Sequence, residues 1–323
     1  MRQTSPRDFT IMQDITRYSL PILTVLLLTL FFLSLPDLRS CALTDPDKTR
    51  HKLGRADAVI MAVIMLLYAL VAFWKLGNTE SPESFVNMEN RTESIELDIS
   101  GGTVTHLMVY ESVGIGSYSI TYSDGSATYD IAELTQSHAD VLKWHDVAIN
   151  YYLTGGTIYI SGTGNVWLGE VVALDADGNV VGAVSSASEL CDEQSLCPDR
   201  QTYMNSTYFD EIYHARTAWE NLNGVYPYEI THPPLGKIII SIGIALFGMT
   251  PFGWRFSGTL FGVLMLPVIY IFAKRLFGGK AVPAACTLVL TSDFMHFVQT
   301  RIATIDTYAV FFILLMYLFM YLW

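Results

Sequence analysis

Apolar residues in this chain are gathered into long runs, and the run lengths restrict its possible folds more than any other feature. Residues 20–35, 58–74, 256–273 and 307–323 are almost uninterrupted apolar segments. A helix that crosses a bilayer needs about 20 mostly apolar residues, with a working range of ~17–25. The run at 20–35 lies at the short edge of that range. Two further runs, 238–249 and 281–290, are shorter and fit core helices, interfacial helices or tilted spans. Only 15% of the residues are charged, against ~25% in an ordinary soluble chain. The chain therefore reads as an α-helical polytopic membrane protein. The last run reaches Trp323, and the reading expects the N-terminal portion of a longer protein.

Charge divides the chain further. Residues 75–231 hold 23 acidic and 5 basic residues, whereas the remainder has 8 acidic and 14 basic ones. An acidic block between two membrane blocks repels nucleic acid, so no nucleic-acid partner is expected. Lys and Arg collect on the cytoplasmic side of membrane helices. Arg39, Lys48, Arg50, Lys52 and Arg55, and later Lys274, Arg275 and Lys280, mark two such loops. The acidic block then faces outward, as does the segment 293–306. A span at 20–35 would also put Arg2, Arg7 and Arg17 outside. No cleavable signal peptide is evident, because the first apolar run is late and Pro36-Asp37-Leu38-Arg39 follows it.

Within the acidic block the pattern shifts to short alternating runs. They lie at 94–99, 106–113, 117–123, 146–153, 156–161 and 167–174, separated by Gly101-Gly102, Asp124-Gly125, Gly155-Gly156 and Asp177-Gly178. Such punctuation predicts an inserted extracytoplasmic all-β sandwich of jelly-roll, discoidin-like type. Trp144, Tyr151, Tyr152 and Trp167 either fill its core or offer stacking faces to a carbohydrate. Asp175, Asp177 and Asn179 resemble the start of a calcium loop, but no Glu follows at the twelfth position, which favours a plain turn. The expected divisions are a tail at 1–19, two membrane segments and a cytoplasmic loop at 20–74, the sandwich at 90–185, and a membrane-side region at 198–323.

Of four cysteines, Cys41 and Cys286 are isolated. Cys191 and Cys197 lie in one polar loop at a spacing that suits a local disulfide, with no His or Cys nearby to complete a zinc site. Two sequons begin at Asn90 and Asn205.

Ionisable residues collect where the acidic block meets the later apolar runs. Asp210 and Glu211 are adjacent acids, followed by Arg216 and Glu220. His232-Pro233-Pro234 stiffens a helix entry, and Lys237 sits just inside that helix. Arg255 precedes one apolar run, and Arg301 and Asp306 precede another. Charges at membrane boundaries are candidate functional groups. Lys237, Arg255 and Arg301 suit the single phosphate of a polyprenyl-phosphate sugar and the charge that builds on it as it leaves. A carboxylate suits removal of the acceptor hydroxyl's proton. No metal and no cofactor are expected for such a transfer. Each residue also has a plainer reading: acids at a helix start favour its dipole, and arginines reach up to lipid headgroups.

Phe209-Asp210-Glu211, the THPPLGK stretch at 231–237, PFGWR at 251–255, the glycine-rich run at 258–270 and QTRIATID at 299–306 occur in that order. Together they resemble the protein O-mannosyltransferase family of GT-C glycosyltransferases, particularly its bacterial phospholipid-carrier-dependent members. The resemblance implies an enzyme that passes mannose from a polyprenyl-phosphate donor, with inversion, to a Ser or Thr hydroxyl at the outer face. It carries the catalytic-base role to Asp210, beside Glu211, and the arginine before the following span to Arg255; with the charge placement above, His232, Lys237, Arg255, Arg301 and Asp306 are the expected substrate-binding residues. The family has little between its first span and the Asp-Glu pair; this chain places residues 75–209 there. Other acceptors, such as an envelope glycan, an aminoarabinose-type transfer, and a membrane-anchored carbohydrate-binding protein are the competing readings.

Overall fold

The computed structural model describes residues 52–89 and 91–323. The expected tail, the run at 20–35, Cys41 and the sequon asparagine Asn90 lie outside the described residues. The described residues form two compact units, one of residues 52–74 with 256–323 and one of residues 75–89 with 91–255.

Among the described residues four helices dominate the first unit: α1 (Arg55–Ala72), the main length of α4 (Pro251–Phe277), α5 (Ala281–Thr291) and α7 (Asp306–Leu322), with the short α6 (Phe294–Gln299) between the last two. Helices α1 and α4 are each long and apolar enough to cross a membrane. Helix α1 buries one face only. Ile64, Tyr68 and Ala72 pack with Val263, Leu266 and Tyr270 of α4 and Ala284 of α5, while Val59, Val63, Leu66, Leu67 and Leu70 stay exposed. In water that apolar face is a liability; in lipid it is the solvent-facing side. Asp57, in the first turn of α1, accepts a hydrogen bond from the Tyr270 hydroxyl (2.9 Å) and pairs with Lys274 Nζ at 3.1 Å. Lys274, one of the cations expected to mark the cytoplasmic side, is thus buried on a carboxylate.

Glycine permits the closest approach in this unit. A Cβ on Gly262 would sit 2.6 Å from Thr300 Cβ, and one on Gly258 3.2 Å from the Thr300 carbonyl. One small-residue face of α4 therefore seats the backbone at Thr300, next to Arg301.

In the second unit the alternating runs become two antiparallel sheets. One has the order β1-β8-β3-β6 and the other β5-β4-β7-β2-β9. Their strands are β1 (Val86–Asn87), β2 (Ile95–Ile99), β3 (Thr103–Glu111), β4 (Ile115–Ser123), β5 (Thr128–Gln136), β6 (Lys143–Thr154), β7 (Thr157–Asn165), β8 (Trp167–Leu174) and β9 (Ala183–Ser185). Every inward position of β2 is buried and every outward one exposed, the period-2 signature of a half-covered strand. The core joins Ile95, Leu97, Leu107, Val109, Ile120, Ile158 and Val171. Gly101, Gly102, Gly125, Gly155, Gly156 and Gly178 all have positive φ, as turn glycines must.

Trp144 is core, and Trp167 donates its indole N–H to Asn165 at 2.6 Å, whereas Tyr151 and Tyr152 are exposed. The Asp175 carboxylate accepts the backbone N–H groups of Asp177 and Asn179 at 2.9 and 2.8 Å, so this segment is a self-capped hairpin turn. Cys191 and Cys197 are unbridged thiols, and the expected disulfide is not formed. A short 3-10 turn, Gln194–Leu196, separates them. The Cys191 thiol faces the Val171 carbonyl, and the Cys197 thiol faces that of Pro198. Asn205, the other sequon asparagine, is buried, with its amide spent on the Arg200 carbonyl.

Candidate active site

The chain leaves the sandwich and forms a helical hairpin of α2 (Glu211–Leu222) and α3 (Leu235–Phe247), within the same compact unit. Its entry is fastened to the β5–β6 loop. Thr207 donates its hydroxyl to the Val141 carbonyl at 2.7 Å and its N–H to that of Leu142 at 3.2 Å. Leu142 and Phe209 both adopt left-handed backbone, with φ of 57° and 53°. Such conformations cost ~1–3 kcal/mol each and persist only where the surroundings fix them. Phe209 immediately precedes Asp210, so the strain sits at the candidate base.

Asp210 is the N-cap of α2, and its carbonyl accepts the N–H groups of Tyr213 and His214 at 3.0 and 3.1 Å. Its side chain makes no capping bond. The carboxylate is half-buried at the positive end of the helix. One turn on, His214 is buried, with Nδ1 unpartnered and its ring edge-on to His232 at 5.7 Å. Burial pushes the His214 imidazole below its usual range, against the opposing pull of Asp210 and Glu229.

Glu211 differs from its neighbour in every respect. It is fully buried, and its two oxygens accept Arg255 Nε at 2.7 Å and the terminal Nη2 at 2.6 Å. This is the two-pronged geometry that only guanidinium supplies. One Glu211 oxygen also accepts the Tyr208 N–H at 2.8 Å. Arg255 spends its remaining donors on the carbonyls of Leu76, Tyr203 and Ser206 and lies 3.7 Å from the Tyr203 ring centre. Arg255 therefore ties two backbone segments, at Leu76 and at 203–206, to one carboxylate.

Lys237 is arranged in the same way. Its buried ammonium donates to Glu229 Oε2 at 2.5 Å, the Glu229 carbonyl at 2.7 Å and the His232 carbonyl at 3.1 Å. Glu229 also accepts from the N–H groups of Thr231 and His232 and from the Thr231 hydroxyl. Burial alone would raise the Glu229 carboxyl, but bonds from Lys237, Thr231 and His232 outweigh it and hold the group well below the usual carboxylate range. Sequence reasoning missed Glu229, although its position eight residues before Lys237 in a Pro-rich turn was a usable signal. His232 remains the exposed member, with Nδ1 3.0 Å from Glu229. On α2, Arg216 pairs with Glu220 at 2.8 Å and lies 4.5 Å from the Tyr228 ring centre.

The structure thus brings Asp210, Glu211, His232, Lys237 and Arg255 into one unit. Arg301 and Asp306 belong to the other. There Arg301 donates to the Trp74 carbonyl at 2.7 Å and lies 4.8 Å from the Phe297 ring centre, while Asp306 is exposed in the first turn of α7.

Comparison with known proteins bears on this half of the chain. Residues 231–323 match the family model described as dolichyl-phosphate-mannose-protein mannosyltransferase; Asp210 and Glu211 lie just upstream of the match. A polyprenol-phosphate-mannose–protein mannosyltransferase of Mycobacterium tuberculosis H37Rv is 38% identical over 111 residues, covering 32% of this chain and 21% of that protein. Its Mycolicibacterium smegmatis counterpart is 37% identical over 110 residues, with the same coverage. The like-named Corynebacterium glutamicum protein is 30% identical over 124 residues, covering 35% of this chain and 24% of its own. The matched stretch spans about a fifth of the length of these relatives. No solved structure matches the chain. The ordered motifs, the family match and these relatives agree: from Thr231 onward, this chain is similar to protein O-mannosyltransferases.

Proposed function

We propose that this chain is the front end of an inverting glycosyltransferase, which moves mannose from a polyprenyl-phosphate donor to a Ser or Thr hydroxyl of a protein at the outer membrane face. The observation that carries this reading is the contrast between two adjacent acids. Glu211 is locked to Arg255, while Asp210 keeps an uncommitted carboxylate at a helix start. In the proposed step Asp210 takes the acceptor hydroxyl proton as that oxygen attacks the anomeric carbon. The bond from that carbon to the phosphate oxygen breaks, and the polyprenyl phosphate leaves with the bonding electrons. A single displacement of this kind inverts the anomeric centre.

Arg255 and Lys237 act on the donor through the groups they hold, not by contact, because their donors are already occupied. Exposed His232 is the nearer candidate for a direct polar contact. Arg301 and Asp306 keep the substrate-binding roles proposed for them as charges beside an apolar run. The clusters of Lys and Arg at 39–55 and 274–280 support a cytoplasmic location for those loops and an outer location for Asp210. The sandwich has the strand order 1-8-3-6 in one sheet and 5-4-7-2 in the other, with every pair antiparallel. That order supports reading it as an eight-stranded jelly roll with β9 added at an edge.

The test is mass spectrometry of envelope proteins from cells with and without the full-length gene. Hexose on Ser or Thr of exported proteins should disappear on deletion and return on complementation. Unchanged hexose on exported proteins, or loss confined to cytosolic ones, contradicts the proposal.

A further inference from the structure

A second chemical centre lies in the sandwich, and it shares no residue with the Asp210 cluster. Glu170 on β8, and Asp192 and Glu193 in the exit loop, each present a carboxylate oxygen, and the three oxygens lie within 4.8 Å of one another. Calcium binds oxygen at ~2.3–2.6 Å, so ligands on opposite sides of one ion stand roughly 4.6–5.2 Å apart. Three oxygens this close can share a single ion.

Acidic clusters on a surface are common, but this one is rooted in the interior. Glu170 is fully buried; its Oε2 accepts the Glu193 N–H at 3.0 Å, and its Oε1 is buried with no donor. Directly opposite Glu170 in the β3–β8 register stands Tyr110, also fully buried. Among the described residues no Lys, Arg or His pairs with any of the three acids. Buried polar atoms are nearly always satisfied, and a buried carboxylate has most need of a counter-charge.

Hydrogen bonds orient the two loop acids. Glu193 Oε2 accepts the Glu83 N–H at 2.8 Å and the Ser84 hydroxyl at 3.1 Å, and Asp192 Oδ1 accepts that same hydroxyl at 2.8 Å. The loop acids are thereby fixed against residues 83–84, where the chain enters the sandwich. Asp192 is exposed and leaves a route in from solvent. An all-oxygen, carboxylate-rich set without His or Cys suits a hard cation over zinc; calcium accepts flexible carboxylate geometry, whereas magnesium demands a near-ideal octahedron and keeps most of its waters.

We propose that Glu170, Asp192 and Glu193 bind a calcium ion that locks the entry and exit segments of the sandwich together. The ion is structural and takes no part in sugar transfer. Its consequence is mechanical: the exit segment continues to Asp210, so the ion steadies the base of the arm that carries it.

Terbium, which occupies calcium sites and glows when an excited aromatic ring is close, is the probe. The full-length protein in detergent, stripped with EDTA, should give saturable terbium emission on aromatic excitation, because Tyr110 and Trp144, 5.2 Å apart, lie beside the site. Calcium should displace it. Calcium at about a hundredfold over its Kd should raise the thermal midpoint by roughly 5 °C or more. Glu170→Gln, close to isosteric, should abolish both responses while still folding in EDTA. Asp192→Asn, at an exposed position, should weaken calcium about tenfold, since ligand charge sets affinity, and leave the EDTA midpoint unchanged. A wild-type protein with no terbium emission and no calcium shift overturns the proposal. So do responses that persist undiminished in both variants.

Discussion

Arg255→Ala should unfold the second unit at a markedly lower temperature, a larger effect than loss of a surface arginine would have. The guanidinium is completely buried and makes two bonds to Glu211 and three to backbone carbonyls. Removing it strands a buried carboxylate and leaves the carbonyls of Leu76, Tyr203 and Ser206 short of a donor. Breaking a buried pair from one side typically costs ~3–5 kcal/mol, which corresponds to a fall on the order of 10 °C for a unit of this size. Arg255→Lys keeps the charge but not the fork, so it should recover only part of the loss. The control is Glu211→Gln with Arg255→Met: the double variant should be less damaged than the sum of the singles, because each single strands the partner. Thermal unfolding of the four proteins decides it. Additive losses would mean that the pair does not organise the site and that Arg255 is free to serve a phosphate after all.

Asp210→Asn should have the opposite profile, with stability retained and transfer lost. The side chain makes no cap bond, so the amide disturbs little. What vanishes is basicity, and general base catalysis typically contributes ~10²–10⁴-fold. Initial rates should fall by that factor, while affinity for the lipid donor stays near wild type, since the proposed role is toward the acceptor. Glu211→Gln should lose activity together with stability. That separation of thermal midpoint from rate distinguishes a residue that reacts from one that positions. If Asp210→Asn keeps more than about half the wild-type rate, the base is elsewhere.

Much of the fold was legible because two periods coexist in the chain. The apolar runs at 58–74 and 256–273 became α1 and α4 almost at their expected limits, and six alternating runs became β2, β3, β4, β6, β7 and β8. Strand β5 escaped notice because it lies at a sheet edge: its early positions are exposed, and Asp130 and Glu133 interrupt the alternation. Strands β1 and β9 are only two and three residues long and have no period to read. In the site, residue types were visible but pairings were not. Arg255 and Glu211 are 44 positions apart, and only the folded chain reveals that the arginine's charge is spent. Lys237 was read as a phosphate ligand for the same reason; its partner Glu229 sits in a turn whose shape depends on Pro233 and Pro234. The buried Glu170, with one oxygen lacking a donor, could not be foreseen, since in sequence it is one acid among the 23 of the block.

The most direct test of the central claim is transfer in a purified system. The full-length protein in nanodiscs is incubated with polyprenyl-phosphate mannose and a peptide containing Ser and Thr, and the product is analysed by mass spectrometry and anomeric NMR. The account predicts one hexose on a hydroxyl, joined with inverted configuration, formed by the wild type and lost in Asp210→Asn. Wild-type protein that binds the donor yet forms no glycopeptide, or forms one with retained configuration, would contradict it.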